Sequence, residues 1–267
     1  MPRSRRRGIR LPQRGGRVSA ATRSLARMDA NDRPVAVVTG GTRGIGLAVA
    51  MDLSDTHHLV IGGRSTESVE EVVAGLPSAE GFVADLGDTA PGGSLERALD
   101  RVVPRLPHVD VLVHSAGILH RGAVADVPMS DWSEAMAVNV VAVAGVTRAL
   151  LPALRAAEGL VVMVNSGSGF TASPTTGTYA ATKFALRALA DALREEERGN
   201  GVRVTSIHPG RVDTDMQHEM IEFEGGDYRP EQYLRVESVV KAVRLAVDAS
   251  PEASVDVISV RPRGYRR

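Results

Sequence analysis

Short β-branched runs alternating with helical patterns constrain this chain more than any other feature. The runs are "VAVVTG" from Val35, "HLVIGG" from His58, "GFVAD" from Gly81 and "VDVLVHSAG" from Val109. They continue with "GLVVMVNS" from Gly159, "GVRVTSIHPG" from Gly201 and "ASVDVISV" from Ala253. The first six are nearly unbroken apolar stretches, as parallel strands covered on both faces require. Helical periodicity falls near 44–54, 66–75, 94–104, 130–157, 178–198 and 237–249. The helix near 131 opens with "DWSE", which predicts Asp131 at the cap and Glu134 completing a capping box. This alternation predicts an α/β fold, a doubly wound and mostly parallel Rossmann-type sheet of about seven strands with helices on both faces. No internal repeat or second domain is visible, so residues 34–267 are read as one domain.

The balanced charge hides two unlike parts. Residues 1–27 carry nine Arg and no acid. Of 32 basic residues that leaves 23 for the rest of the chain, against 32 acidic ones. The globular part is therefore acidic, which argues against a nucleic-acid-binding surface there. The basic segment 1–33 admits three readings: an overextended start ahead of Met28, a disordered basic tail that touches nucleic acid or anionic lipid, or an organelle transit peptide. There is no cysteine, which excludes disulfides and thiolate metal sites and fits a reducing, cytoplasmic setting. No segment is read as long and apolar enough to span a membrane. The histidines are scattered without ligand spacing, so no metal is expected. His57 and His58 are read as surface or satisfied core residues, and Trp132, Met136, Val140 and Val143 as core or subunit contact.

The first strand runs into "TGGTRGIG", residues 39–46. Glycines at 40, 44 and 46 permit a tight turn and leave the next helix's free N–H groups for an anion, best a dinucleotide pyrophosphate. The second strand ends in "GGRS", where an NAD site usually offers an acid and an NADP site an arginine. Arg64 stands there, and Arg43 lies inside the glycine turn. Two guanidinia favour NADP(H) over NAD(H), though NAD(H) stays possible; the bland alternative is a pair of solvated arginines.

Farther on, "GTYAATK" places Tyr179 one helical turn before Lys183, one of only two lysines beside 30 arginines. Reducing a carbonyl creates an alkoxide that needs a proton. A nearby ammonium, with the cationic oxidised nicotinamide, is expected to lower the phenol's pKa and tune it for that exchange. "NSGSG" invites a hydrolase reading, but neither Ser166 nor Ser168 sits in G-x-S-x-G.

With these motifs in this order, the chain resembles the short-chain dehydrogenase/reductase family from residue 34 to 260. The resemblance implies catalytic roles for Asn139, Ser166, Tyr179 and Lys183. It implies cofactor contacts from Gly40, Thr42, Arg43, Gly44, Ile45 and Gly46 in the turn, and from Arg64 and Ser65 after the second strand. Asp85 and Leu86, then Ser115, Ala116 and Gly117, belong to the same set, as do Tyr179 and Lys183. In "HPGRVDTDM" it adds Pro209, Gly210, Val212 and Thr214. "HSAG" at 114–117 replaces both asparagines of the family's usual N-N-A-G. By the same resemblance Ser166 would bond the substrate oxygen, Lys183 would hold the nicotinamide ribose, and Asn139 would position a water linking Lys183 to solvent.

The expectation is an NADP(H)-dependent oxidoreductase that interconverts a small-molecule carbonyl and a secondary alcohol, without metal, nucleic acid or membrane. The alternatives are an NAD-dependent alcohol dehydrogenase and a non-catalytic dinucleotide sensor. Phe170, Thr171, Thr175 and segment 215–235 are read as pocket wall and lid. Family members commonly pair through the helices here near 131–157 and 178–198, which implies a homodimer or homotetramer.

Overall fold

The computed structural model describes residues 33–263; most of the basic N-terminal segment therefore lies outside the described residues. Seven strands form one parallel sheet. They are β1 (Val35–Thr39), β2 (His58–Gly63), β3 (Ala79–Val83), β4 (Val111–His114), β5 (Leu160–Val164), β6 (Arg203–Pro209) and β7 (Val257–Val260). Their order across the sheet is β3-β2-β1-β4-β5-β6-β7. The helices are α1 (Gly44–Leu53), α2 (Thr66–Ala74), α3 (Ser94–Val102), α4 (Met129–Met136), α5 (Ala142–Ala156), α6 (Gly177–Glu197), α7 (Asp215–Glu224) and α8 (Val236–Val247).

Alternate residues of each strand enter different cores, because successive side chains leave opposite faces. Val35 and Val37 join one core with residues of α3, α5 and α6. Ala36 and Val38 join the other with residues of α1, α2 and α8. The inner strands β1, β4 and β5 are buried along their whole length, as their unbroken apolar runs predict. The edges are not: in β3 only Phe82 is fully buried, and Val257 in β7 is half exposed.

From β1 the chain winds outward to β3, then returns to β4 on the other side of β1. That reversal opens a crevice beyond the carboxyl ends of β1 and β4, where a doubly wound sheet binds its ligands.

Three local readings are corrected. The helix near 131 begins at Met129 with Pro128 at its cap and no side-chain cap bond; Asp131 instead faces His120 at 3.5 Å. The run over 130–157 is not uniform either, because Ala137–Val141 forms a π-helical segment between α4 and α5. The wider turn leaves Val143 in the core and Met136 exposed, so the expected apolar stripe divides between core and surface. Finally, the continuous run Met129–Ala156 is long and apolar enough to cross a membrane, contrary to expectation. Half of its most apolar window is buried within the protein, where α5 packs on the sheet.

Candidate functional site

The crevice is a cleft of about 470 Å³. Two glycines shape its floor. Gly40 has φ +65°, and a Cβ there would lie 2.7 Å from the Ala116 Cα. A Cβ on Gly46 would lie 2.2 Å from the Gly40 carbonyl oxygen, so α1 packs onto the turn only through a bare Cα. Helix α1 begins after Arg43 with no side-chain cap and no acid in its first turn. Its leading N–H groups and the positive end of its dipole are thus presented to the cleft, a setting suited to phosphate.

Most of the expected cofactor residues line this cleft: Gly40, Thr42, Arg43, Gly44 and Ile45 from the turn, then Arg64, Ser65, Asp85 and Leu86. Ser115, Ala116, Gly117 and Thr214 complete that group. Six others stand apart from the lining: Gly46, Tyr179, Lys183, Pro209, Gly210 and Val212. Gly46 packs the helix, Gly210 donates to the Val260 carbonyl, and Val212 is buried beside Leu234. The lining also includes Phe82, Val138, Glu134, Asp215 and Met216, for which the sequence reading assigned no cofactor role. Asp215 lies 3.8 Å from Arg43, with both side chains well exposed. Arg64 is exposed and has no acidic partner among the described residues. The donor set of two exposed guanidinia and an open helix N-terminus fits the phosphates of a dinucleotide.

Both replacements in "HSAG" are accommodated. His114 is buried and turns away from the cleft, its Nε2 2.9 Å from the Thr147 hydroxyl. Burial pushes its pKa down to about 3, so the ring is neutral. Ser115 lines the cleft in the second asparagine's place and donates its backbone N–H to Thr39.

A second group of side chains sits on α6 and the strand ends beside the cleft. Asn139 is buried in the π-helical segment, accepts from the Ile118 N–H at 2.9 Å and donates back to the Ile118 carbonyl. It donates also to the Thr182 hydroxyl at 3.1 Å, which pins the loop after β4 to α6. Lys183 is buried, and its ammonium donates to the Val164 carbonyl at 3.1 Å. A Cβ on Gly117 would lie 3.3 Å from Asn139 Oδ1 and 3.9 Å from Lys183 Nζ, so Gly117, Asn139 and Lys183 are immediate neighbours. The Ser166 side chain lies near enough to the Tyr179 phenol to favour its ionised form.

Lys183 on its own does not move Tyr179 downward, although the expectation joined its charge to that of an oxidised nicotinamide. Desolvation pushes the phenol up to about 12, partly opposed by the Ser166 hydrogen bond. Lys183 is itself pushed down to about 8 by burial. Its ammonium aims at a backbone carbonyl, and loss of hydration outweighs its attraction for a phenolate.

Two supports went unread in the sequence. Asn165 accepts from the Ser166 N–H at 2.9 Å and donates to the Lys183 carbonyl at 3.2 Å. His208 is fully buried between the Ser166 carbonyl on Nδ1 and the Ser206 hydroxyl on Nε2, both at 2.9 Å. A carbonyl can only accept, so Nδ1 carries the proton. Phe170 stacks on that ring at 4.1 Å.

The expected lid contains a helix, α7, whose first residues line the cleft and whose last residue, Glu224, binds Arg121 and Arg211. His57 is buried against Thr56, and His58 opens β2 against Ser78, as satisfied residues should.

The family model for short chain dehydrogenase matches residues 34–225. An uncharacterized oxidoreductase of Staphylococcus epidermidis is 32% identical over 230 residues, covering 85% of this chain and 96% of that protein. A 3-alpha-(or 20-beta)-hydroxysteroid dehydrogenase of Mycobacterium tuberculosis is 34% identical over 184 residues, covering 68% of this chain and 70% of that one. Among solved structures, an alcohol dehydrogenase of Thermococcus sibiricus complexed with 5-hydroxy-NADP aligns with a TM-score of 0.78 at 27% identity. That alignment covers 88% of this chain and 99% of the archaeal one.

Proposed function

The chain belongs to the short chain dehydrogenase family of oxidoreductases, and from that premise we propose that it is an NADP(H)-dependent enzyme reducing a small-molecule carbonyl to a secondary alcohol. The observation that carries this reading is the placement of Tyr179 against Lys183 on one helix face, with the Ser166 side chain beside the phenol and Gly117 of the cleft against Lys183. Bound NADP(H) supplies the hydride.

The chain's own residues supply the rest. Tyr179 holds its proton firmly at neutral pH, yet an alkoxide is a far stronger base than its phenolate, so the transfer runs downhill. The Ser166 hydroxyl bonds the substrate oxygen as negative charge develops there. His208 and Asn165 fix the backbone on either side of Ser166, which keeps its hydroxyl facing Tyr179. Lys183 contributes ribose contacts and positive charge beneath the reacting pair. Asn139 holds the loop of Ile118 against α6 and can order a water toward Lys183. Arg43 and Arg64 select the 2′-phosphate, Arg43 exchanging its loose contact with Asp215 for the stronger anion.

The solved archaeal relative complexed with an NADP derivative supports the cofactor assignment. Exposed Met136, Val141 and Phe184 on or beside α4 and α6 support pairing through those helices into a dimer or tetramer. The cysteine-free sequence supports a cytoplasmic setting. The test is spectrophotometric oxidation of NADPH and NADH over a ketone and aldehyde panel. No oxidation of either cofactor with any carbonyl, despite dinucleotide binding, would favour the sensor reading.

A further inference from the structure

Arg121 stands in the loop leaving β4, four residues beyond Gly117, and its side chain is only 10% exposed. Its Nη1 donates to Glu224 Oε1 at 2.7 Å and its Nη2 to the Thr175 hydroxyl at 3.3 Å. The Phe223 ring lies against the guanidinium at 5.0 Å. The third nitrogen, Nε, is buried and has no acceptor.

Three features make this more than a structural ion pair. First, Glu224 already takes two hydrogen bonds from Arg211, at 2.9 and 2.6 Å. Arg121 is therefore a second guanidinium on a carboxylate that is satisfied without it. Second, Arg121 reaches the threshold of the reacting pair. Thr175 precedes Tyr179 by four residues, and its carbonyl accepts from the Gly122 N–H at 3.0 Å. Thr175 is also held at φ +63°, a left-handed conformation that a branched residue adopts only under constraint and that clusters at ligand clamps. Third, the buried side-chain polar atoms left without partners among the described residues are Arg121 Nε, Thr178 Oγ1 and Gln217 Nε2. An unpaired buried donor is costly to keep, so Arg121 Nε points to an acceptor brought by a ligand.

We propose that Arg121 receives an anionic group of the substrate, and that the site takes carbonyl compounds bearing a carboxylate. This rests on Ser166 and Tyr179 being the reacting pair. A guanidinium offers Nε–H and one Nη–H side by side, which matches a carboxylate's two oxygens. An arriving carboxylate uses the orphaned Nε–H and the adjacent Nη2–H, which leaves the Thr175 hydroxyl, while Nη1 stays on Glu224. A neutral substrate gives Nε nothing of that strength.

The test compares two matched pairs with NADPH: 4-oxopentanoate and its methyl ester, and 4-formylbenzoate and its methyl ester. The wild-type kcat/KM should favour each acid over its ester by about tenfold or more, as charge-assisted hydrogen bonds provide. Arg121→Met should bring that ratio near one, chiefly through KM for the acid. Glu224→Gln keeps Arg121 and removes the negative charge that offsets it, so the acid preference should rise. It also decides the matter should Arg121→Met not fold. If Arg121 only latches α7 to the loop, Glu224→Gln slows acid and ester alike with an unchanged ratio, and the proposal is overturned. If neither member of either pair consumes NADPH, the reading of the reacting pair fails instead. Calorimetric titration with pentanoate, which has no carbonyl, then tests the receptor alone: about tenfold weaker binding to Arg121→Met upholds it, and equal or undetectable binding to both overturns it.

Discussion

The ammonium of Lys183 lies 5.5 Å from the centroid of the Tyr179 ring and donates to the Val164 carbonyl. The two side chains share a helix face, yet the charge is not aimed at the phenolic oxygen. Burial therefore governs both groups and pushes each toward its neutral form.

For catalysis, Tyr179→Phe should lower carbonyl reduction by about 10²–10⁴-fold while leaving NADPH affinity little changed. In the parent protein, a phenol near 12 remains protonated across the usual range. The kcat/KM for reduction, which reports groups of the free enzyme, should consequently show no loss attributable to Tyr179 up to about pH 10. A decline centred near pH 7 that vanishes in Tyr179→Phe would restore Lys183 as the tuning charge.

Lys183 gives a stability signature of its own. Its pKa falls from 10.5 when unfolded to about 8 when folded. Between those values the unfolded chain binds more protons, so stability contributed at this site rises with pH from 8 toward 10.5. The full excursion is at most roughly 3 kcal/mol, at 1.36 kcal/mol per pKa unit. Lys183→Met should be more stable than the parent at pH 7, and its advantage should shrink by pH 10. Parallel melting curves for the two proteins across that range would overturn this account of Lys183.

Legibility followed physical cause. The inner strands were readable because continuous apolar runs have few other uses, and the glycine turn because Gly40 and Gly46 leave no room for a Cβ. Helix α7 was not readable as a helix, since "DMQHEMIEFE" is mostly polar and buries only Gln217 and Ile221. The π-helical segment around Asn139 depends on a side chain bonding a distant loop at Ile118, which local pattern cannot report. Spacing correctly placed Tyr179 and Lys183 on one face. It could not supply their pKa values, because desolvation depends on every neighbouring element.

For cofactor choice, Arg64 is exposed and close to no acid among the described residues. Its hydrogen bonds to a 2′-phosphate should be worth about 1.5–3 kcal/mol each. Arg64→Asp should therefore weaken NADPH by at least about tenfold and favour NADH, whose ribose hydroxyl an acid can hold. Arg43→Ala should weaken NADPH less, because part of that charge already faces Asp215. Fluorescence titration of both cofactors measures this, and equal NADPH and NADH affinity in the parent would remove both arginines from the assignment.

Acid should unfold this protein through its buried histidines, His114 first among them. His114 is neutral in the fold, with its pKa pushed down to about 3 by burial, whereas the unfolded ring titrates near 6.5. Burial also lowers His57 and His208. Between its folded and unfolded values each ring binds a proton only when the chain opens. Stability is thus complete above pH 6.5 and falls as the pH drops below it, by about 1.4 kcal/mol per pH unit for each ring in its window. His114→Asn replaces the ring with a non-titrating amide of the family's usual residue type, which is too short for the Nε2 contact with Thr147. Some packing against α5 is lost, so the variant should be less stable at pH 7. Its stability should nevertheless decline less steeply between pH 6 and 4 than the parent's. Urea unfolding at several pH values measures both slopes, and identical slopes would show that His114 does not stay neutral in the fold.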